Sequence, residues 1–386
     1  MSTKKFNPNR LKSARLFEGF TIEKLAQSIG VSKQAVSLFE KGETTPKLET
    51  LMRIINVLQF PKEFFFSDDD DTLEVGNVYF RSQLTTNRMA KSSQEEKIKV
   101  ILKCHYHLDK YVKFPRLNLP VLEENDWDNL SADEIELISM RVREFWGLGL
   151  EPIPNLVNVL EKNGIIVVAL DTNDEKIDAY SKRVVFNGQE KYCVVLDESK
   201  KSAARRQFNA AHELGHILIH EAMGIEVSEL TKEQYRVMEE QANLFAASFL
   251  LPREAFLNDL IYPIDLNAYI ELKKKWKVSI AAMIVRAYKL GAINQNQYQY
   301  LMRKMSAKGY RTKEPLDNVL HMSKPILFQK AIDLIITNNV LTPNTLLKKF
   351  TLFNTKAEAI LGLKADSLLE KKSDDNLFDL SFKQIR

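Results

Sequence analysis

The chain has 386 residues, 45% of them apolar and 27% charged, and a net charge of +4. That length suits two to three domains with their own cores, at about 100–200 residues each. A small disulfide-stapled fold is excluded, because Cys104 and Cys193 are the only cysteines and no CxxC occurs. No apolar run approaches the ~18 residues of a bilayer span, and the opening MSTKKFNPNRLKSARLFEGF has no apolar secretory core. The expectation is a protein of the reducing cytoplasm with no membrane partner.

Residues 1–66 hold eleven Lys/Arg against six Asp/Glu, so the positive charge is concentrated there and nucleic acid is the expected partner. Within TIEKLAQSIGVSKQAVSLFEKG, Thr21 predicts a helix N-cap and Glu23 suits the positive end of the helix dipole. Lys24 stands where a capping box would need Glu or Gln. Ile22, Leu25, Ala26 and Ile29 recur at helical spacing; Gly30 then ends the helix, and Ser32 caps a second one with Ala35, Val36 and Phe39 inward. The pattern is helix, glycine turn, helix.

Over positions 7–66 this segment resembles the Xre-like family of phage-repressor helix-turn-helix domains. The resemblance implies a recognition helix at 32–40 that enters the major groove of double-stranded operator DNA, and a homodimer on a palindromic site. Lys33, Gln34, Ser37 and Leu38 then face base edges, with Gln suited to adenine and Lys to guanine, while Lys41 is placed for phosphate.

Residues 67–93 read as an acidic linker, with four aspartates at 68–71, interrupted by VYFRS as a short docked strand. Residues 94–113 follow as a helix on which His105 and His107 lie on nearly opposite faces, as ordinary helix residues rather than ligands. Another helix is expected over 131–146, capped by Ser131. GIIVVAL (164–170) and YCVVLD (192–197) read as strands of a small sheet, punctuated by Gly164 and Gly188, whose exposed edge could hold an extended peptide.

AAHELGHILIH, residues 210–220, carries three of the six histidines. Residues four apart share a helix face, so His212 and His216 can reach one ion while Glu213 polarises a water. Imidazole donors with an open fourth position suit Zn2+. His220 continues the ladder but lies ~12 Å along the axis from His212, at ~1.5 Å per residue, too far to share the ion. It is expected to be structural or to support a ligand from behind, with Ile217-Leu218-Ile219 simply continuing the helix. In MEEQANLFAASFLLP, Ala242, Phe245, Ala246 and Phe249 form an apolar stripe that Glu239 shares, whereas Glu240 is rotated outward. A carboxylate on a buried face needs a cationic partner, so Glu239 is the candidate third ligand; the alternative is a salt-bridged helix N-terminus.

RRQFNAAHELGHILIH together with EEQANLFAASFLLP is similar to the ImmA/IrrE family of bacterial metallopeptidases, with likeness from about Ser131 through the 275–304 segment. The resemblance implies His212, His216 and Glu239 as zinc ligands and Glu213 as general base. Asn243 stands where related peptidases often have an Asp that orients a histidine.

The expected fold is multi-domain and mainly α. It comprises an all-α helix-turn-helix domain (1–66), an acidic linker plus connecting helix (67–125), an α+β zincin-like metallopeptidase domain with a small sheet (126–256), and a helical C-terminal region (257–386) without a motif. VSIAAMIVRAYKLG resembles a second helix-turn-helix helix, expected to pack beside the peptidase domain rather than read DNA. The expected function is a transcriptional regulator that cuts a repressor, or its own linker near 67–74, in stress or mobile-element control. Two alternatives remain: a non-proteolytic factor that uses the peptidase fold as a metal or ligand sensor, and an antitoxin-like regulator that binds a partner protein.

Overall fold

The computed structural model describes residues 5–67, 73–80, 88–122, 127–172, 177–186, 188–199, 202–221, 225 and 230–370; for 73–80 and 186 it describes the backbone alone. Arg81 and Ser82 of the expected VYFRS strand, and most of the 67–74 connector, lie outside the described residues.

Four helices open the chain: α1 (Pro8–Phe17), α2 (Ile22–Ile29), α3 (Lys33–Lys41) and α4 (Leu48–Leu58). Thr21 caps α2 by accepting from Lys24 N, and Ser32 caps α3 by accepting from Ala35 N. Gly30 ends α2 in the left-handed region at φ 67°, a conformation open to glycine at no steric cost. Arg53 of α4 donates to the free carbonyl of Ile29 at 3.0 Å. Arg15 of α1, buried, grips Glu40 of α3 with two hydrogen bonds of 2.6 and 2.9 Å. That planar fork fixes the angle at which α3 is presented.

The connector contributes β1 (Leu73–Phe80), which contains the expected VYF, and then α5 (Arg88–Asp109), displaced towards the N-terminus from the expected 94–113. After α6 (Ala132–Phe145) and α7 (Leu156–Lys162) come β2 (Ile166–Leu170), β3 (Ala179–Phe186) and β4 (Gln189–Asp197). Ser131 caps α6 in a full capping box with Glu134. The strand order is β1-β3-β4-β2, with β2 and β4 parallel and the other pairs antiparallel. β3 was not expected from the sequence, and β1 occupies the edge beside it.

The sheet divides two cores. On one face Ile166, Val168, Tyr180, Val184, Cys193 and Val195 join the helix-turn-helix core, α5, and the last three helices, α14 (Leu327–Thr337), α15 (Pro343–Phe350) and α16 (Asn354–Leu361). His105 is buried there with its ring 4.2 Å from that of Phe114. The other face, with Val167, Ala179, Val194 and Leu196, packs on α8 (Ala203–Gly215) and α9 (Lys232–Leu250). α10 (Arg253–Asp259), α11 (Leu266–Trp276), α12 (Ile280–Lys289) and α13 (Gln295–Ala307) complete that layer. In the VSIAAMIVRAYKLG segment, α12 buries Ile280, Met283, Ile284 and Ala287, and its Arg286 bonds Glu136 of α6 at 2.6 Å.

α5 is bonded to both sides. Its Ser93 donates to the Phe17 carbonyl at 2.8 Å, and its Glu96 accepts from Ser13 of α1 at 2.5 Å. On another side of the same helix, Gln94 donates to Thr172 O at 2.9 Å and accepts from the Tyr180 hydroxyl of β3 at 3.0 Å. Among the described residues, no helix is long and apolar enough to cross a membrane.

Candidate metal centre and DNA-reading helix

α8 starts at Ser202, whose hydroxyl accepts from Arg205 N, and is buried almost throughout, although Phe208 is only half-buried. After Gly215 the backbone does not continue as an α-helix, as the sequence suggested: His216–Glu221 form a wider π-helical turn. Such turns insert extra backbone into a helix and are frequent at functional sites. α9 begins with a capping box from Thr231 and Gln234 and lays Ala242, Phe245, Ala246 and Phe249, all fully buried, against α8. The approach is close. A methyl group on Gly215 would stand 3.1 Å from Phe245 Cδ1 and 3.3 Å from Ala242 Cα. Gly215→Ala is therefore expected to push α9 outward and cost about 1–3 kcal/mol, to be read as a lower midpoint in urea unfolding; an unchanged midpoint would show that the two helices yield freely.

Between these helices three side chains converge. His212 Nε2 and His216 Nε2 are 3.0 Å apart, and the Glu239 oxygens lie 3.5 Å from each of them. The candidate donor atoms are all within 4.8 Å of one another. Both rings turn Nδ1 outward. His212 Nδ1 is 3.1 Å from Asn243 Oδ1, and His216 Nδ1 is 3.0 Å from His220 Nδ1. Burial, and the neighbouring His216 ring, hold His220 well below its own usual range, so it is neutral. Two inward-facing imidazole nitrogens and a carboxylate form a donor set that a cation stabilises.

Glu213, between the two histidines on α8, is almost wholly buried. Glu240 points outward and pairs with Arg236 at 2.9 Å. Sequence reasoning missed Gln241, which accepts from His220 Nε2 at 3.0 Å and donates to the Trp127 carbonyl at 2.5 Å. Its position four residues before Phe245 put it on the buried stripe, so the signal was present. Trp127 contributes a backbone atom and carried no such signal.

On the other part of the chain, α3 exposes Lys33, Gln34 and Lys41, with Ser37 and Leu38 half-buried, while Val36 and Phe39 anchor it. Its nearest ion pairs are long and exposed: Lys33 to Glu23 at 4.0 Å and Lys41 to Glu43 at 3.9 Å. These cations are therefore readily available to a phosphate or a base edge.

Residues 160–288, from the end of α7 through nearly all of α12, match the family described as an IrrE N-terminal-like domain, and residues 11–65 match a helix-turn-helix family. The helix-turn-helix segment is also similar to YgzD of Bacillus subtilis strain 168, an uncharacterized HTH-type transcriptional regulator. The two are 33% identical over 58 residues, which is 15% of this chain and 88% of that protein. The chain thus belongs to the helix-turn-helix transcriptional regulators and carries, in the same polypeptide, a metallopeptidase-type IrrE N-terminal-like domain.

Proposed function

We propose that this DNA-binding regulator is also a zinc-dependent endopeptidase that acts in the cytoplasm as a homodimer on operator DNA and cuts a protein controlling transcription there. The observation that carries the reading is the convergence of His212, His216 and Glu239 beside the buried Glu213, where α8 and the turn after it pack on α9.

Zn2+ in such a donor set supplies Lewis-acid polarisation and acidified water. His212, His216 and Glu239 would hold it, and Asn243 and His220 would orient the two rings by their outer nitrogens. Glu213 would take the proton of the attacking water and return it to the leaving amide nitrogen, as a carboxylate does when it serves first as base and then as acid. On α3, Lys33, Gln34 and Ser37 would read base edges and Lys41 would hold phosphate.

The chain itself is favoured as one substrate. Its connector already lies as an extended strand, β1, paired antiparallel with β3, the strand whose Ser181 bonds Glu221 of the π turn at 2.8 Å. An extended backbone is the conformation in which peptidases take their substrates, by strand addition.

Metal analysis by mass spectrometry tests the site. Purified wild type is expected to carry about one zinc per chain, and Glu239→Ala to carry essentially none, because three protein ligands are the usual complement of a catalytic zinc. Wild type that stays metal-free after zinc is added at neutral pH would overturn the reading.

A further inference from the structure

We infer that Gln241 is a positioning residue that sets the tautomer of His216, acting through His220. It deepens the zinc reading above and rests on it for its purpose, though not for its geometry.

The hydrogen bonds from Trp127 to His216 allow one direction of donation. The Trp127 carbonyl only accepts, so the Gln241 side chain must turn its NH2 towards it, at 2.5 Å, and present Oε1 to His220 Nε2, at 3.0 Å. An amide oxygen cannot donate, so His220 carries its proton on Nε2 and keeps a lone pair on Nδ1. That lone pair lies 3.0 Å from His216 Nδ1, which is then the protonated nitrogen of its ring. His216 is left with its lone pair on Nε2, the atom that faces His212 Nε2 at 3.0 Å and Glu239 at 3.5 Å.

The packing leaves the chain little freedom to rearrange. His220 is fully buried and Gln241 is 4% exposed. The Trp127 ring stands edge-on to His220, 88° between planes and 5.8 Å between centroids. The π turn brings the rings of His216 and His220 to 5.1 Å, so the two imidazoles meet nitrogen to nitrogen. A side chain at 241 that cannot accept would leave His220 free to put its proton on Nδ1. Two N–H groups would then compete for one line, and His216 would have to present its own proton, not its lone pair, to the ion.

Two readouts test this on the full-length chain: the histidine tautomers of metal-free protein by isotope-labelled NMR, and zinc affinity by chelator competition. Wild type is expected to show His216 protonated on Nδ1. Gln241→Met and His220→Leu are expected to mix the tautomers and weaken zinc binding roughly 10–100-fold, whereas His220→Asn, which returns an acceptor oxygen near the Nδ1 position, stays within about threefold. Gln241→Met with an unchanged tautomer and affinity would overturn the inference. So would an equal loss in His220→Asn and His220→Leu, which would reduce the effect to packing. If Gln241→Met does not fold, the His220 pair decides. Wild type that binds no zinc but holds the His216 tautomer would refute the zinc reading and leave the relay standing.

Discussion

Glu213→Gln is expected to leave zinc content unchanged and to slow peptide cleavage by roughly 10²–10⁴-fold, the usual weight of a general acid–base group. The substitution keeps the shape of the side chain and removes its capacity to accept a proton. The proposed ligating atoms belong to His212, His216 and Glu239, and Glu213 is not among them, so metal content should not change. The substrate to use is a synthetic peptide copying residues 66–86 of this chain, alongside the intact protein followed by mass. Equal rates in wild type and variant would remove Glu213 from the chemistry. Failure of wild type itself to cut either substrate would remove the connector as a target.

The second large effect concerns DNA. Lys33 and Gln34 are exposed on the first turn of α3, and the Arg15–Glu40 pair holds that helix to α1 from behind. The double variant Lys33→Ala, Gln34→Ala is expected to lower affinity for a selected duplex by roughly 100-fold or more, at about 1–3 kcal/mol per good base contact. Lys41→Ala should weaken all sequences alike and reduce the salt slope by about one. The duplex is one that wild type enriches from a random pool. Fluorescence anisotropy at fixed salt reads the binding, and unchanged affinity in the double variant would mean that α3 is not the reading helix.

The elements that sequence revealed best were those whose signals are local. Thr21, Gly30 and Ser32 fix α2 and α3 through caps and a left-handed turn, and each acts within four residues of the chain. The stripe of Ala242, Phe245, Ala246 and Phe249 likewise predicts both the buried face of α9 and the placement of Glu239 on it. β3 escaped notice because AYSKRVVF mixes charged with apolar residues and both of its faces are covered. The Asn187-Gly188 pair that ends it is a two-residue hairpin signal and could have exposed the strand. Gly188 takes φ 72° there, while Asn187 lies outside the described residues. The π turn was beyond reach for another reason. HILIHE reads as continuing helix by propensity, and no residue type in it marks the wider turn that the backbone takes. The Trp127 carbonyl is a backbone atom and is invisible to any reading of residue types.

The double bonding of α5 changes what a cut in the connector would accomplish. Ser93 and Glu96 hold α1, Gln94 holds the sheet, and Lys356 of α16 is ion-paired to Glu18 at the end of α1. Breaking the peptide chain in the connector would therefore leave these bonds among α1, α5, α16 and the sheet in place. The product would be a nicked complex whose two pieces remain together, the DNA reader held by buried surface instead of by a covalent tether. Its departure would then be governed by dilution and by a dissociation rate, so the cleaved regulator would behave as a timer. Under native gel filtration the two fragments should co-elute, and they should part only when urea or dilution loosens the seam along α5.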